Sequence, residues 1–116
     1  MWPFSRKGAA GPASVPTIDV NEAFTRSKRG AKLIDVRSAR EFAHSGHPKG
    51  ARSLPPDLIK QDDTGLGRDD ELLVICLSGH RSPHQAKRLA GMGYTNVSNV
   101  HGGLVAWKKA GLPVNK

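Results

Sequence analysis

The 116-residue chain has one cysteine, Cys76, and it opens the segment CLSGHRS. Within this segment Gly79 allows the backbone a sharp bend, so that successive amide N–H groups can point into one anion-binding concavity. A helix expected to begin near Pro83 directs the positive end of its dipole at the same place. Arg81 adds positive charge. Together these features favour the Cys76 thiolate over the thiol, and they would equally hold a persulfide anion.

Cys76 is therefore the predicted reactive group, and the residues after it form the predicted binding surface for an anionic substrate. These loop residues are Leu77, Ser78, Gly79, His80, Arg81 and Ser82. Although a lone cysteine can be a small buried hydrophobic residue, the surroundings of this one indicate chemistry. No serine-elbow pattern and no paired base accompany Ser78 or Ser82, so Ser82 is interpreted as a helix cap.

A metal site is the main alternative for this segment. Cys76, His80 and His84 are spaced four residues apart, as ligands on one helix face would be. Because Cys76 ends a predicted strand and Pro83 begins a helix, the three side chains are not expected to share a face. We predict no metal and no cofactor. The remaining histidines are interpreted as structural hydrogen-bonding residues: His44, His47 and His101.

Apolar runs and capping signals predict strands that alternate with helices along the chain. The predicted strands are 32–36, 51–54, 71–76 and 96–100. The predicted helices follow capping boxes at Asp19, Ser38 and Ser82, with one turn at 57–61 and a last helix at 104–110. Such alternation implies a parallel sheet with helices on both faces. Cys76 ends the strongest strand, at the solvent-facing carboxyl edge where reactive groups lie in such sheets.

Length and composition indicate one soluble domain. Residues 1–14 mix Gly, Ala, Pro, Ser and basic residues and are predicted to form a flexible tail, with the domain over 15–116. No run approaches the roughly 20 apolar residues of a membrane helix, and the start lacks the apolar core of a signal peptide. One cysteine excludes an intramolecular disulfide and suits a reducing compartment. We expect a cytoplasmic monomer or weak dimer that does not bind membranes.

The charge balance favours small anions as substrates. Lysine and arginine number 18 against 10 acidic residues, giving a net charge of +8, and such an excess attracts anions and speeds their arrival. A solvated basic surface is the alternative explanation. Nucleic acid is not an expected partner, because the six aromatic residues do not interleave with the basic ones.

Several segments, in order, resemble the motifs of the rhodanese family. They are Leu33–Arg37 with Glu41–Phe42, Gly46–Ala51, the Cys76–Ser82 loop, Gly93–Val97, and Gly102–Gly103 with Trp107 and Gly111–Val114. Together they cover roughly residues 16–114. Pro48 departs from the family, which commonly has a branched aliphatic residue there, in a connection where a ring is tolerable. The resemblance implies an α/β rhodanese-like three-layer domain: a central five-stranded parallel sheet with helices on both faces.

The resemblance also implies roles for individual residues. Cys76 would accept sulfur and Arg81 would bind an anion. Asp35, Arg37 and Glu41 fall on family motif positions and are expected to brace the loop or the neighbouring chain through charged hydrogen bonds.

The expected function is a two-step sulfur transfer. The Cys76 thiolate would take sulfane sulfur from an anionic donor such as thiosulfate and pass it, as a persulfide, to cyanide, a thiol or a carrier protein. One alternative is a sulfur-relay or regulatory module with little thiosulfate turnover. Another is a phosphatase or arsenate reductase, whose loop needs five residues between Cys and Arg. Here Leu77–His80 provides four, and the smaller ring better suits a single outer sulfur.

Overall fold

A computed structural model of the protein describes residues 15–116, so the tail predicted for residues 1–14 lies outside the described residues. Helices α1–α5 span Val20–Lys28, Ala39–His44, Pro56–Lys60, Ser82–Gly91 and Gly103–Lys109. Strands β1–β7 span Thr17–Ile18, Lys32–Asp35, His47–Pro48, Arg52–Ser53, Glu71–Ile75, Asn96–Val100 and Val114–Asn115. No helix among the described residues is long and apolar enough to cross a bilayer.

Five strands form one sheet in the order β1-β6-β5-β2-β4, and every pairing in it is parallel. The predicted five-stranded parallel α/β fold is confirmed. Strand β5 lies at the centre, between β6 and β2, so the residue that follows it emerges in the middle of the carboxyl edge. The sequence pattern did not indicate β1, because Thr17–Ile18 is too short to carry a periodic signal.

A separate antiparallel pair, β3 with β7, also went unpredicted. Pro48 lies in β3 opposite Val114, and a proline is acceptable there because this two-stranded pair has no neighbour that needs its missing N–H. Just before β7, the Pro113 carbonyl accepts the Lys49 N–H at 2.9 Å and the indole N–H of Trp107 at 2.8 Å. The end of the chain is thus joined to β3 and to α5.

The two faces of the sheet bury separate hydrophobic clusters, as the alternation along β5 requires. Leu72 and Val74 face α3 and α4, where they pack with residues such as Ile59 and Leu89. Leu73 and Ile75 face α1 and α5, and the second cluster is built around the fully buried Trp107. The predicted three-layer arrangement follows from these two clusters.

The capping predictions had mixed outcomes. Asp19 accepts the Glu22 N–H at 2.8 Å, but the Glu22 carboxylate contacts Arg26 and does not return to the cap. The capping box between Ser38 and Glu41 is confirmed in both directions. The box predicted at Ser82 is wrong, because α4 begins without any side-chain cap.

Candidate active site

Cys76 directly follows β5 and is only 1% exposed. The expectation of a solvent-facing cysteine is therefore wrong for this structure. The side chain continues the alternation of Leu72 and Val74 and lies on the sheet face that α4 covers. The backbone then turns at once, and Gly79 donates its N–H to the Cys76 sulfur at 3.1 Å. The loop thus folds back over its own cysteine.

The thiol is surrounded by hydrogen-bond donors. Burial raises the pKa of Cys76, but its contacts with the Ser82 hydroxyl and with the backbone N–H groups of Ser82, Arg81 and Gly79 lower it by more. The net pKa is below that of an ordinary cysteine. Two of these donors, the N–H groups of Arg81 and Ser82, lie where α4 begins, so the positive helix end acts on the sulfur as predicted.

The start of α5 holds the other side of the loop. The Cys76 carbonyl accepts the Leu104 N–H and the Leu77 carbonyl accepts the Val105 N–H, each at 2.9 Å. This approach requires glycine, because a Cβ at Gly103 would lie 2.5 Å from both carbonyl oxygens. Sequence reasoning missed this contact, although the Gly-Gly pair before a helix was a usable signal.

Ser82 is fully buried and has a tertiary role instead of the predicted capping role. Its Oγ lies 3.4 Å from the Cys76 sulfur, and its hydroxyl donates to Oδ1 of Asn99 at 2.6 Å. Asn99 is 6% exposed and comes from β6, the strand beside β5. No local motif marked Asn99, because its position depends on the register between two strands.

The Arg81 guanidinium forms a two-pronged ion pair with Glu41 of α2, with N–O distances of 2.8 and 3.0 Å. This contact is the main cause that lowers the pKa of Glu41 to about 2. Glu41 thus braces the loop in this structure. The Arg81 guanidinium is bound by this carboxylate of the protein itself. Direct binding of a substrate anion by Arg81 stays a prediction.

Asp35 and Arg37, each 1% exposed, form a buried ion pair at the carboxyl end of β2. Arg37 contacts both Asp35 oxygens and also donates to the Gly46 carbonyl at 2.7 Å. The pair therefore ties β2 to the chain just beyond α2, the helix that carries Glu41. The side-chain hydrogen bonds of the pair go to each other, to the Arg37 backbone and to Gly46, and none of them goes to the loop.

Comparison with known proteins shows the family of this chain. Residues 19–110 match the family model described as the Rhodanese-like domain. The chain belongs to the rhodanese-like family. It is 33% identical to "Thiosulfate sulfurtransferase 16, chloroplastic" of Arabidopsis thaliana, covering 90% of this chain and 97% of that protein. It is 36% identical to "Thiosulfate sulfurtransferase GlpE" of Pseudomonas putida, covering 72% and 74%.

A solved structure supports the rhodanese fold. The rhodanese-related protein of Thermoplasma volcanium superposes with a TM-score of 0.76 at 27% identity, covering 86% of this chain and 97% of that one.

The remaining residues of the rhodanese loop face outward. Leu77 is 39% exposed, and the exposed Ser78 hydroxyl contacts Nδ1 of His80 at 2.8 Å. His84 lies in α4 beside Arg88. Over residues 15–116, His, Cys, Asp and Glu side chains form no group of three that could hold a metal ion.

Removing one partner of the buried pair should destabilise the rhodanese domain strongly. Arg37→Ala leaves the Asp35 carboxylate buried without its counter-ion, and we expect the free energy of unfolding to fall by about 3–5 kcal/mol. Arg40→Ala, at an exposed arginine of α2, is the control and should stay within about 0.5 kcal/mol. Urea unfolding measures both. Equal losses in the two variants would contradict the assigned role of the pair.

A methyl group at Gly103 should disturb the loop. Gly103→Ala places a Cβ 2.5 Å from the Cys76 and Leu77 carbonyls, so the loop or α5 must shift. Gly111→Ala is the matched control, because Gly111 also has a positive φ but its Cβ would meet nothing within 4 Å. We expect Gly103→Ala to lose about 1–3 kcal/mol more stability and to change the alkylation rate of Cys76. Equal effects would show that only backbone strain matters.

Proposed function

We propose that this chain is a sulfurtransferase that carries sulfane sulfur from an anionic donor such as thiosulfate to a thiophilic acceptor, as a persulfide on Cys76. The observation that carries the proposal is the 3.1 Å contact from the Gly79 N–H to the cysteine sulfur. It belongs to a set of donors at the carboxyl edge of the sheet that stabilise a sulfur anion. The names of the related thiosulfate sulfurtransferases support the same reaction class.

In the first step, the Cys76 thiolate attacks the outer sulfur of thiosulfate. A bond forms between the two sulfurs, the bond from the outer sulfur to the central sulfur breaks, and its electron pair leaves with sulfite. The charge balances, because a thiolate and a dianion become a persulfide anion and a dianion. The protein lowers the barrier by positioning the donor and by holding the developing anion with preorganised N–H groups.

In the second step, the acceptor attacks the outer sulfur of the persulfide. Cyanide would become thiocyanate, and a thiolate would become a new persulfide. The bond to Cys76 breaks and its electron pair returns to the cysteine as a thiolate. The same donors that favour the resting thiolate therefore also stabilise Cys76 as a leaving group.

Loop length favours this reaction over phosphate or arsenate chemistry. Four residues separate Cys76 from Arg81, and the loop closes so tightly that Gly79 contacts the sulfur itself. A tetrahedral oxyanion needs a wider ring of donors. A single sulfur atom, added beyond the cysteine sulfur, needs less room.

Cys76→Ser should abolish sulfur transfer while the fold persists. Serine is nearly isosteric, and no second thiol exists in the chain. After incubation with thiosulfate, intact-mass spectrometry should show the parent protein heavier by one sulfur atom and the variant unchanged. Transfer of sulfur to cyanide by the serine variant would refute the persulfide. A parent protein that loads from persulfides but not from thiosulfate would indicate the relay alternative.

Arg81→Ala should reduce kcat/KM for thiosulfate by roughly ten- to a hundredfold if the guanidinium turns from Glu41 to the donor, since a charge-assisted hydrogen bond contributes about 1.5–3 kcal/mol. The loss should be similar at low and high salt, because the contact is local. Arg81→Lys should recover part of it. The parent enzyme should slow modestly as salt screens its net charge. Parental kcat/KM in Arg81→Ala at both salt concentrations would show that Arg81 serves only to bind Glu41.

A further inference from the structure

Three buried side chains form a short hydrogen-bonded chain behind the reactive sulfur. The Cys76 sulfur lies 3.4 Å from Ser82 Oγ, and the Ser82 hydroxyl donates to Asn99 Oδ1 at 2.6 Å. Their exposed fractions are 1%, 0% and 6%. Because solvent hardly reaches these side chains, their hydrogen bonds come largely from within the protein. Ser82 connects the other two.

The Ser82 hydroxyl has a single proton and two neighbours that can accept it. In the arrangement of this structure, the Cys76 thiol donates to Ser82 and Ser82 donates to Asn99. This arrangement suits a protonated cysteine only. When the thiol loses its proton to solvent, the sulfur can only accept hydrogen bonds. The most favourable arrangement then has the Ser82 hydroxyl donating to the sulfur.

The carboxamide of Asn99 can follow that change. It carries both an acceptor and a donor, so a half-turn about its terminal bond replaces Oδ1 with Nδ2 in front of Ser82. Nδ2 then donates to the oxygen of Ser82, whose proton is free to point at the sulfur. A carboxylate at position 99 could only accept, and it would hold the Ser82 proton away from the sulfur.

We propose that Asn99 is a positioning residue that acts through Ser82: its carboxamide sets the direction of the Ser82 proton and reverses when Cys76 ionises. In this hydrogen-bond relay of Cys76, Ser82 and Asn99, the thiolate keeps a buried donor and the Ser82 oxygen gains a donor from Asn99. A hydrogen bond from Ser82 acts together with the contacts of the loop N–H groups, and both lower the pKa of Cys76.

The relay also bears on the second step of sulfur transfer, and this consequence rests on the proposed function. As the bond between the Cys76 sulfur and the outer sulfur breaks, its electron pair moves onto the cysteine sulfur. Ser82 can donate to that sulfur at the same moment, because Asn99 supplies a donor in exchange. The departing thiolate is then stabilised from the buried side.

Alkylation by iodoacetamide across a pH series tests the relay, because it reports the thiolate at the only cysteine and requires no sulfur transfer. We expect Asn99→Asp to raise the pH midpoint by more than about one unit, because the carboxylate both retains the Ser82 proton and adds negative charge. Ser82→Ala should raise the midpoint by loss of the donor. Asn99→Ala should change the midpoint little, because Ser82 loses both the oxygen that competes for its proton and the amide group that would donate to its oxygen. Ser98→Ala, at the preceding buried residue of β6 and on the opposite sheet face, is the matched control.

A double variant separates action through Ser82 from a simple effect of charge. In the Ser82→Ala background, Asn99→Asp should shift the midpoint by clearly less than it does in the parent, since only the through-space charge remains. A full shift in that background, or equal upward shifts in Asn99→Ala and Asn99→Asp, would overturn the relay.

Circular dichroism checks folding of every variant. Should Asn99→Asp fail to fold, the comparison of Ser82→Ala with Asn99→Ala decides: equal upward shifts refute the relay, and a rise in Ser82→Ala alone supports it. If the midpoints shift as expected but the protein never gains sulfur from thiosulfate, the proposed function is refuted and the hydrogen-bond relay is supported.

Discussion

The contact between the start of α5 and the loop after β5 determines how the site is arranged. The carbonyls of Cys76 and Leu77 are bound by α5, and in planar trans peptides the N–H groups of the same peptides point the opposite way. The acceptors of these two peptides therefore face α5, and the sulfur receives its N–H donors from later loop residues, Gly79, Arg81 and Ser82. A reactive sulfur anion needs this separation, because a carbonyl oxygen facing it would repel it. The glycine at position 103 permits the close approach that enforces it.

Two ion pairs, one buried and one partly exposed, support the surroundings of the loop. The Asp35–Arg37 pair is buried and fixes the connection around α2, where loss of one partner is costly. The Glu41–Arg81 pair lies nearer the surface, with side chains 32% and 47% exposed, and such pairs stabilise little. The buried pair thus fixes the chain around α2, while the surface pair can break and re-form at a small cost in free energy. A guanidinium held in this way is available for the anion contact that we propose for Arg81 in sulfur transfer.

Local sequence signals predicted the parts of this fold that local physics determines. Short apolar runs located β2 and β5, and the Ser38 capping box located α2, because neighbouring residues form those features. Strands of two residues, β1 and β7, carry no period and depend on their partners. Ser82 shows the same limit at the site: its type and position suited a cap, but a buried sulfur and Asn99 compete for its hydroxyl. Asn99 itself becomes visible only once β6 is placed beside β5.

The Pro113 carbonyl, which binds both Lys49 and Trp107, connects the segment before β7 to α5 and, through α5, to the loop after Cys76. Trp107 lies in the same helix whose first N–H groups hold Cys76 and Leu77. Proteolytic trimming before residue 113 would remove the partner of the buried indole and free the β3 edge. We expect the loop after Cys76 to lose order as a result, although every residue of the loop would remain. Residues 113–115 are therefore a vulnerable point for the geometry of the candidate site.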